Sequence, residues 1–332
     1  MILVAGGGGF IGGAVARSLL DDGHEVRVVD VAPQGGWLWP LDDAECIQRD
    51  LQLLESCLEV TAGCEQVYNF ACDMGGMGFI EHNKALTMLS SLINTHLLVA
   101  AREHHVERFF FASTACVYRA DRQSDTDVVA LREDRDVYPA MPEDGYGWEK
   151  LFSEHMCRHF REDFGIETRI ARYHNVYGPH GTWDGGREKV PAAICRKVAM
   201  AALTGDPQIE VWGDGEQVRS FTYVDDAVEG TRRLMDSDVV EPRNIGSSET
   251  VSVNELVALV AEHAGISVTC RHDLTAPQGV RGRSSDNTLV RRDLDWEPAT
   301  RLRTGIAPTF DWVLGQASLA MRDNVRDQST GR

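Results

Sequence analysis

Met1-Ile2-Leu3-Val4-Ala5-Gly6-Gly7-Gly8-Gly9-Phe10-Ile11-Gly12 opens the chain. Ile2 to Ala5 reads as a short buried strand, Gly6 to Gly9 as a turn, and Phe10 to Leu20 as a helix by its apolar spacing. The glycines satisfy both Gly-x-Gly-x-x-Gly (7, 9, 12) and Gly-x-x-Gly-x-x-Gly (6, 9, 12). Residues without a Cβ let the backbone approach a pyrophosphate, while the helix N-terminus supplies amide donors and a favourable dipole. A glycine string alone is equally a tight turn. Here a second strand, Glu25 to Val31, carries Asp30 near its end, where an acid takes a ribose 2′-hydroxyl. Val31 and Ala32 follow with no arginine to meet a 2′-phosphate, which favours NAD over NADP. Gly6, Gly9, Phe10, Ile11, Gly12 and Asp30 are therefore candidate cofactor residues. Asp50-Leu51, after a third short strand, either reaches the adenine or forms a solvated loop.

Outward from this unit the pattern repeats. Gln66 to Ala71 leads into a helix near Lys84 to Glu103, and Arg108 to Ser113 leads through a loop into a helix near Gly147 to Phe160. Glu167 to Tyr173 is a further strand rich in β-branched and aromatic residues. Alternation of this kind predicts an α/β fold with a Rossmann-type, doubly wound parallel sheet over residues 1–178. Beyond Gly178-Pro179 the regularity fails. Gly185-Gly186 and Trp212-Gly213-Asp214-Gly215 mark loops between helices near Pro191 to Leu203, Asp225 to Met235 and Val253 to His263. Residues 179–320 are expected to form a smaller substrate-binding lobe, with 219–245 partly returning to the first domain. A tail, 321–332, is expected to be disordered from about Asn324.

Composition narrows the function classes. The 332 residues carry 51 acidic and 33 basic side chains, a formal charge of −18, which argues against nucleic acid as partner. No run of about 18 apolar residues and no basic-then-apolar leader is present, so neither a membrane nor export is expected. Eight cysteines without Cys-x-x-Cys spacing read as reduced thiols of a cytoplasmic protein with no metal site.

Tyr146-Gly147-Trp148-Glu149-Lys150 places Tyr146 and Lys150 on one helical face. A phenol titrates near 10 and is a poor base at neutral pH. An adjacent ammonium and a cationic nicotinamide would favour phenolate and let it take a hydroxyl proton during hydride transfer. The pair is commonly a solvated helix pair. After several βα units, and with Ser113-Thr114 at a strand end, it reads as catalytic, Thr114 bonding the same hydroxyl.

With these residues in place the chain resembles the extended short-chain dehydrogenase/reductases acting on nucleotide sugars, and within them the branch that inverts C3 and C5 of GDP-mannose. The resemblance is carried by Ala71-Cys72-Asp73-Met74-Gly75-Gly76-Met77-Gly78-Phe79, Ser113-Thr114-Ala115-Cys116-Val117-Tyr118, Arg172-Tyr173-His174-Asn175-Val176-Tyr177-Gly178-Pro179 and Gly185-Gly186-Arg187-Glu188-Lys189. Gly279-Val280-Arg281-Gly282-Arg283-Ser284-Ser285-Asp286-Asn287 completes it, so that it covers residue 1 to about 315. Similar 4,6-dehydratases carry an Asp-Glu pair where this chain has Ala115-Cys116, which replaces two carboxyl groups with a thiol. A cysteine near pKa 8.5 is a few per cent thiolate at neutral pH, more beside an ammonium, and suits removal of a proton α to a ketone. Only four of the 33 basic residues are lysines (84, 150, 189, 197), and two fall on the family's catalytic positions, Lys150 and Lys189. The bland readings are a buried small Cys and a coding bias towards Arg.

The resemblance implies oxidation at C4 by bound NAD with Tyr146 as base and Lys150 beside it on the cofactor. Proton exchange at C3 and C5 by Cys116 and Lys189 from opposite ring faces would follow, then re-reduction. GDP-L-galactose and GDP-L-gulose are the implied products. Arg219 with Arg281 or Arg283 resembles the family's diphosphate ligands, planar guanidinium groups that suit bidentate phosphate contact. Asn175, Lys189, Lys197, Trp212 and Gln217 match further contacts to the GDP-sugar, and Gly75-Gly76 begins the loop placed against the hexose. A homodimer through the helices near 84–103 and 147–162 is implied as well. Three departures stand out: Cys72 where alanine is usual, Thr114 where serine is usual, and no counterpart of the plant members' C-terminal tail. The rival readings are an NAD-dependent epimerase of another nucleotide sugar and a catalytically dead NAD-binding regulator.

Overall fold

A computed structural model describes residues 1–330, with side chains in the last helix as far as Arg322. The first six strands are β1 (Ile2–Ala5), β2 (Val26–Asp30), β3 (Glu45–Gln48), β4 (Gln66–Asn69), β5 (Arg108–Thr114) and β6 (Glu167–Tyr173). With the strand Arg243–Ile245 they form one seven-stranded sheet, in the order Arg243–Ile245, β6, β5, β4, β1, β2, β3. Every neighbouring pair is parallel. The order reverses between β1 and β4, where the crevice outside the strand ends takes ligands in doubly wound sheets.

The helices are α1 (Phe10–Asp21), α2 (Leu54–Thr61), α3 (Met77–His82), α4 (Lys84–Met88), α5 (Ser90–Glu103), α6 (Tyr146–Phe164), α7 (Val190–Thr204), α8 (Val224–Asp236), α9 (Val253–Ala264), α10 (Thr288–Leu294) and α11 (Leu302–Thr330). Alternating side chains of each strand feed two cores. Val4 and Phe110 join Val15 of α1 and Ala227 of α8 on one face, while Leu3, Phe109 and Phe111 join Val60 of α2 and Leu97 of α5 on the other. Each such fully buried side chain contributes roughly 1.5–3 kcal/mol through lost apolar exposure.

The smaller lobe has its own core, in which Ile194 and Val198 of α7 meet Leu256 and Val260 of α9 and Ile306 and Phe310 of α11. Its strands are short: Gln208–Trp212 pairs with Thr269–Asp273, and Val218–Ser220 lies between Thr250–Ser252 and Gly282–Arg283. The strand Arg243–Ile245 completes the large sheet at one edge, and helix α8 packs on that sheet. So does α10, which falls within the range expected for the smaller lobe: Val290 is fully buried there, and Trp296 closes on Gly230 of α8.

Two local expectations change. The helix expected over 84–103 is two helices interrupted at Leu89. The tail expected to be disordered continues α11 as far as Thr330, because nothing after Pro308 breaks the backbone ladder once the helix is nucleated. Gly331 and Arg332 lie outside the described residues.

Candidate active site

A cavity of about 760 Å³ opens at the reversal of strand order. Gly6, Gly9, Phe10, Ile11, Gly12, Asp30, Asp50 and Leu51 line one end, and Gly75, Thr114, Tyr146 and Lys189 line the other. The glycines are there for steric reasons. Gly6 has φ +74°, and a Cβ on it would lie 2.6 Å from the Ala71 nitrogen; one on Gly12 would lie 2.4 Å from the Gly6 oxygen. Asp30 accepts from the Gly8 nitrogen at 3.1 Å and the Ala32 nitrogen at 3.0 Å, which fixes its carboxylate at the rim. A strap that the sequence reading missed closes over the glycine turn. Leu38 N donates to Gly8 O at 3.0 Å, and the Trp39 indole donates to Phe10 O at 2.9 Å. The signal was available in Trp37-Leu38-Trp39, an aromatic cluster between two glycines and a proline in an otherwise polar connection.

At the other end the chemistry-bearing groups are clamped by backbone. Cys116 N donates to Thr114 Oγ1 at 3.2 Å, and Cys116 O accepts from Glu143 N at 2.9 Å. Gly147 in the first turn of α6 is pressed so close that a Cβ would lie 2.4 Å from that same Cys116 oxygen. The phenol of Tyr146 and the thiol of Cys116 therefore share one buried cluster with Ile80, covered by Met74 and Phe79. Lys189 arrives from the segment before α7, and a negative charge on Cys116 would raise its pKa.

The electrostatics differ from the expectation in one respect. Burial, then the neighbouring Cys72, Cys116 and Glu149, push the Tyr146 phenol well above its usual range, with the Thr114 hydroxyl acting weakly against them. Lys150 does not offset this. Its ammonium lies 4.7 Å over the Phe111 ring and 3.8 Å from Glu149 Oε2, at 5.7 Å from the Tyr146 ring centre. Burial pushes the Glu149 carboxyl up, and the Lys150 ammonium acts against that rise. Burial also lowers Lys189 and raises Cys116, so both shifts favour an uncharged amine and thiol over an ammonium and thiolate.

Residues 2–246 match the model of the NAD dependent epimerase/dehydratase family. The chain belongs to that family. Among its relatives it is similar to a GDP-mannose 3,5-epimerase of Arabidopsis thaliana, at 46% identity over 95% of this chain and 82% of that one. It is similar to GDP-mannose 3,5-epimerase 1 of Oryza sativa subsp. japonica at 45%, with the same coverage. Among solved structures, UDP-glucose 4-epimerase from Thermotoga maritima with UDP-glucose superposes with a TM-score of 0.84 at 25% identity, covering 96% of this chain and 99% of that one. MoeE5 in complex with UDP-glucose and NAD superposes at 0.79 and 27%, with the same coverage.

NAD is the cofactor of this epimerase/dehydratase, and the residues present fit it. The glycine cradle excludes any Cβ, α1 points its N-terminus into the cavity, and Asp30 offers a carboxylate where a ribose diol binds.

The residues expected to grip the sugar nucleotide divide into groups. Arg219 is partly buried, and among the described residues its hydrogen bonds go only to backbone oxygens of Val218, Gln278 and Val280. Burial, with the nearby Arg283, brings it down to about 9. Arg281 instead binds Asp214 through two bonds of 2.9 and 3.0 Å. Arg283 is turned away from a phosphate role: Nε donates to Gln123 at 2.6 Å, Nη1 to Cys116 Sγ at 3.5 Å, and Nη2 to Glu143. Glu143 and Gln123 were not foreseen, since an acid just before a helix reads as ordinary N-terminal charge.

None of these three arginines lines the cavity wall, and neither do the remaining four residues. Asn175 holds Ser220 O at 3.0 Å, Lys197 holds Glu210 O at 2.7 Å, and Gln217 holds Trp212 O at 3.0 Å. The exposed Trp212 ring lies over Gly78, where a Cβ would be 3.3 Å from it.

Proposed function

We propose that this chain is a GDP-mannose 3,5-epimerase, converting GDP-D-mannose to GDP-L-galactose and GDP-L-gulose. The observation that carries the reading is the meeting of three groups: a buried thiol just past the C-terminal end of β5, a phenol at the start of α6 in the same cluster, and an amine from the other lobe on the wall of the cavity that the phenol also lines. The relatives of that name, alike over nearly the whole chain, supply the substrate.

NAD, held by the Gly6–Gly12 turn, Asp30, Tyr146 and Lys150, supplies reversible oxidation at C4. Tyr146 holds and returns the C4 hydroxyl proton, with Thr114 bonded to the same oxygen. A ketone at C4 acidifies the hydrogens on C3 and C5. Cys116 and Lys189 exchange those protons from the two faces, one removing and the other supplying. Arg219 faces the diphosphate, and the Gly75–Gly78 segment sits against the hexose. Turnover in heavy water tests this: label appears at both C3 and C5. Label at neither carbon, with C4 inverted, would favour simple 4-epimerisation of another nucleotide sugar.

A homodimer belongs to the same reading. Leu86, Met88, Leu89 and Leu92 of the α4–α5 segment and Trp148 and Phe152 of α6 are all more than a third exposed, and α4 and α5 both pack on α6. A second copy would cover this apolar face. No described helix is long and apolar enough to cross a membrane, and the eight cysteines stand free.

A further inference from the structure

Cys116 shares its one arginine with a carboxylate. Arg283, on the short strand Gly282–Arg283, directs Nη1 to Cys116 Sγ at 3.5 Å and Nη2 to Glu143, while Gln123 orients the guanidinium by accepting from Nε at 2.6 Å. Both members of the ion pair are nearly enclosed, with side-chain exposures of 6% for Arg283 and 13% for Glu143. Glu143 is tied to the same site by its backbone, whose N–H donates to Cys116 O at 2.9 Å. The guanidinium thus bridges the carboxylate and the sulfur, beside the cluster that Cys116 shares with Tyr146.

The titratable groups facing the sulfur come from five segments: Glu143 before α6, Tyr146 in α6, Lys189 before α7, Arg219 in Val218–Ser220, and Arg283. Of these, Arg283 alone contacts the sulfur with a permanent positive charge, and it is paired. A cation paired with a buried carboxylate stabilises a neighbouring anion far less than a free one, because the two fields largely cancel at the third site.

We propose that Glu143 is a positioning residue for Cys116: by pairing with Arg283 it withholds that positive charge from the sulfur and keeps Cys116 a proton-bearing thiol in the resting site. The inference rests on the role of Cys116 in proton exchange given above. It concerns the resting site: the sulfur begins with its proton, Glu143 is ionised and Arg283 protonated, while Lys189 stands on the cavity wall.

Burial, Glu143 and Arg283 bear on the thiol in a way that agrees with this geometry: the first two raise it and Arg283 lowers it. Burial alone would raise the Glu143 carboxyl, but the charge and hydrogen bond of Arg283 hold it below the usual range.

The experiment is a thiolate titration. Ultraviolet thiolate absorbance is followed against pH in the NAD-loaded enzyme, and the Cys116→Ala spectrum is subtracted so that only Cys116 is read. Glu143→Gln is expected to lower the midpoint by about one pH unit, tenfold more thiolate at a given pH below it. Arg283→Gln raises the midpoint, and Glu143→Asp restores the wild-type value, which a purely structural role would not produce. Equal midpoints in wild type and Glu143→Gln overturn the proposal. Should Glu143→Gln fail to fold, its buried arginine being unpaired, the double variant Glu143→Gln/Arg283→Gln carries no buried charge and replaces the pair with neutral polar groups. In the Arg283→Gln background no guanidinium is left to withhold, so the double variant is expected to titrate with Arg283→Gln, and a double variant well below Arg283→Gln overturns the proposal in favour of a direct field of the carboxylate on the sulfur. Retained epimerisation by Cys116→Ala would instead remove the proton-exchange role of the thiol and leave these midpoints as they are.

Discussion

The guanidinium of Arg187 lies 3.9 Å from the ring centre of Phe79, and its Nη1 donates to Asp73 at 2.6 Å. One side chain thereby ties the segment that carries Lys189 to the segment that carries Gly75–Gly78. The backbone repeats the tie, Gly76 N donating to Arg187 O at 3.0 Å.

Arg187→Ala is therefore expected to lower kcat/KM for GDP-mannose about tenfold. A half-exposed ion pair and an exposed cation–π contact are together worth about 1–2 kcal/mol, and 1.4 kcal/mol is tenfold. The thermal midpoint should stay within a degree or two, because neither core is touched. A large drop in the midpoint with unchanged kcat/KM would contradict this.

Cys116→Ala is expected to lose about 10²–10⁴ in epimerisation, the usual worth of a positioned acid–base group, while NAD and GDP-mannose still bind. The cavity wall that holds the dinucleotide does not include Cys116. Tyr146→Phe should lose deuterium exchange at both C3 and C5, because without C4 oxidation neither hydrogen is acidic. Normal exchange in Tyr146→Phe would separate the phenol from the oxidation step.

His174 sets part of the acid stability. It is fully buried, Nε2 donates to Asn244 Oδ1 at 3.1 Å, and Nδ1 has no partner among the described residues. Burial brings its pKa from 6.5 to about 3. Below pH 6.5 the unfolded chain binds a proton there that the folded chain refuses, so stability falls as pH drops from about 6.5 towards 3. The full effect is on the order of 3–5 kcal/mol, at about 1.4 kcal/mol per unit. His174→Gln should flatten the slope of thermal midpoint against pH over that window. An unchanged slope would place the titration elsewhere.

Much of this was legible from neighbours in sequence. The β1 turn, Asp30 and the Tyr146–Lys150 pair are each set by local geometry, so pattern alone places them. The second lobe was not, because its strands are short and pair across long stretches: Arg283 reaches Cys116 from 167 positions away. Resemblance offered Arg281 or Arg283 as the partner of Arg219 on the diphosphate; only the three-dimensional placement puts Arg283 on the sulfur. The surroundings of Lys150 were not legible for the same kind of reason. Glu149 is adjacent in sequence, and a helix surface would normally present it to solvent, yet its side chain is only 1% exposed.

Phe152→Glu is expected to convert a dimer to a monomer. Phe152 is 52% exposed and lies one helical turn from Trp148, at 45%, so the two present one apolar stripe beside Leu86 and Leu89. A carboxylate at its centre would be buried without a partner in the dimer and would face water in the monomer. That difference amounts to several kcal/mol, enough to shift a micromolar equilibrium fully. The fold should be unaffected, since the residue contributes to none of the cores. Light scattering decides it: wild type at twice the chain mass and the variant at once. A wild-type monomer would leave this face without a second copy to cover it, and an intact Phe152→Glu dimer would place the interface on another surface.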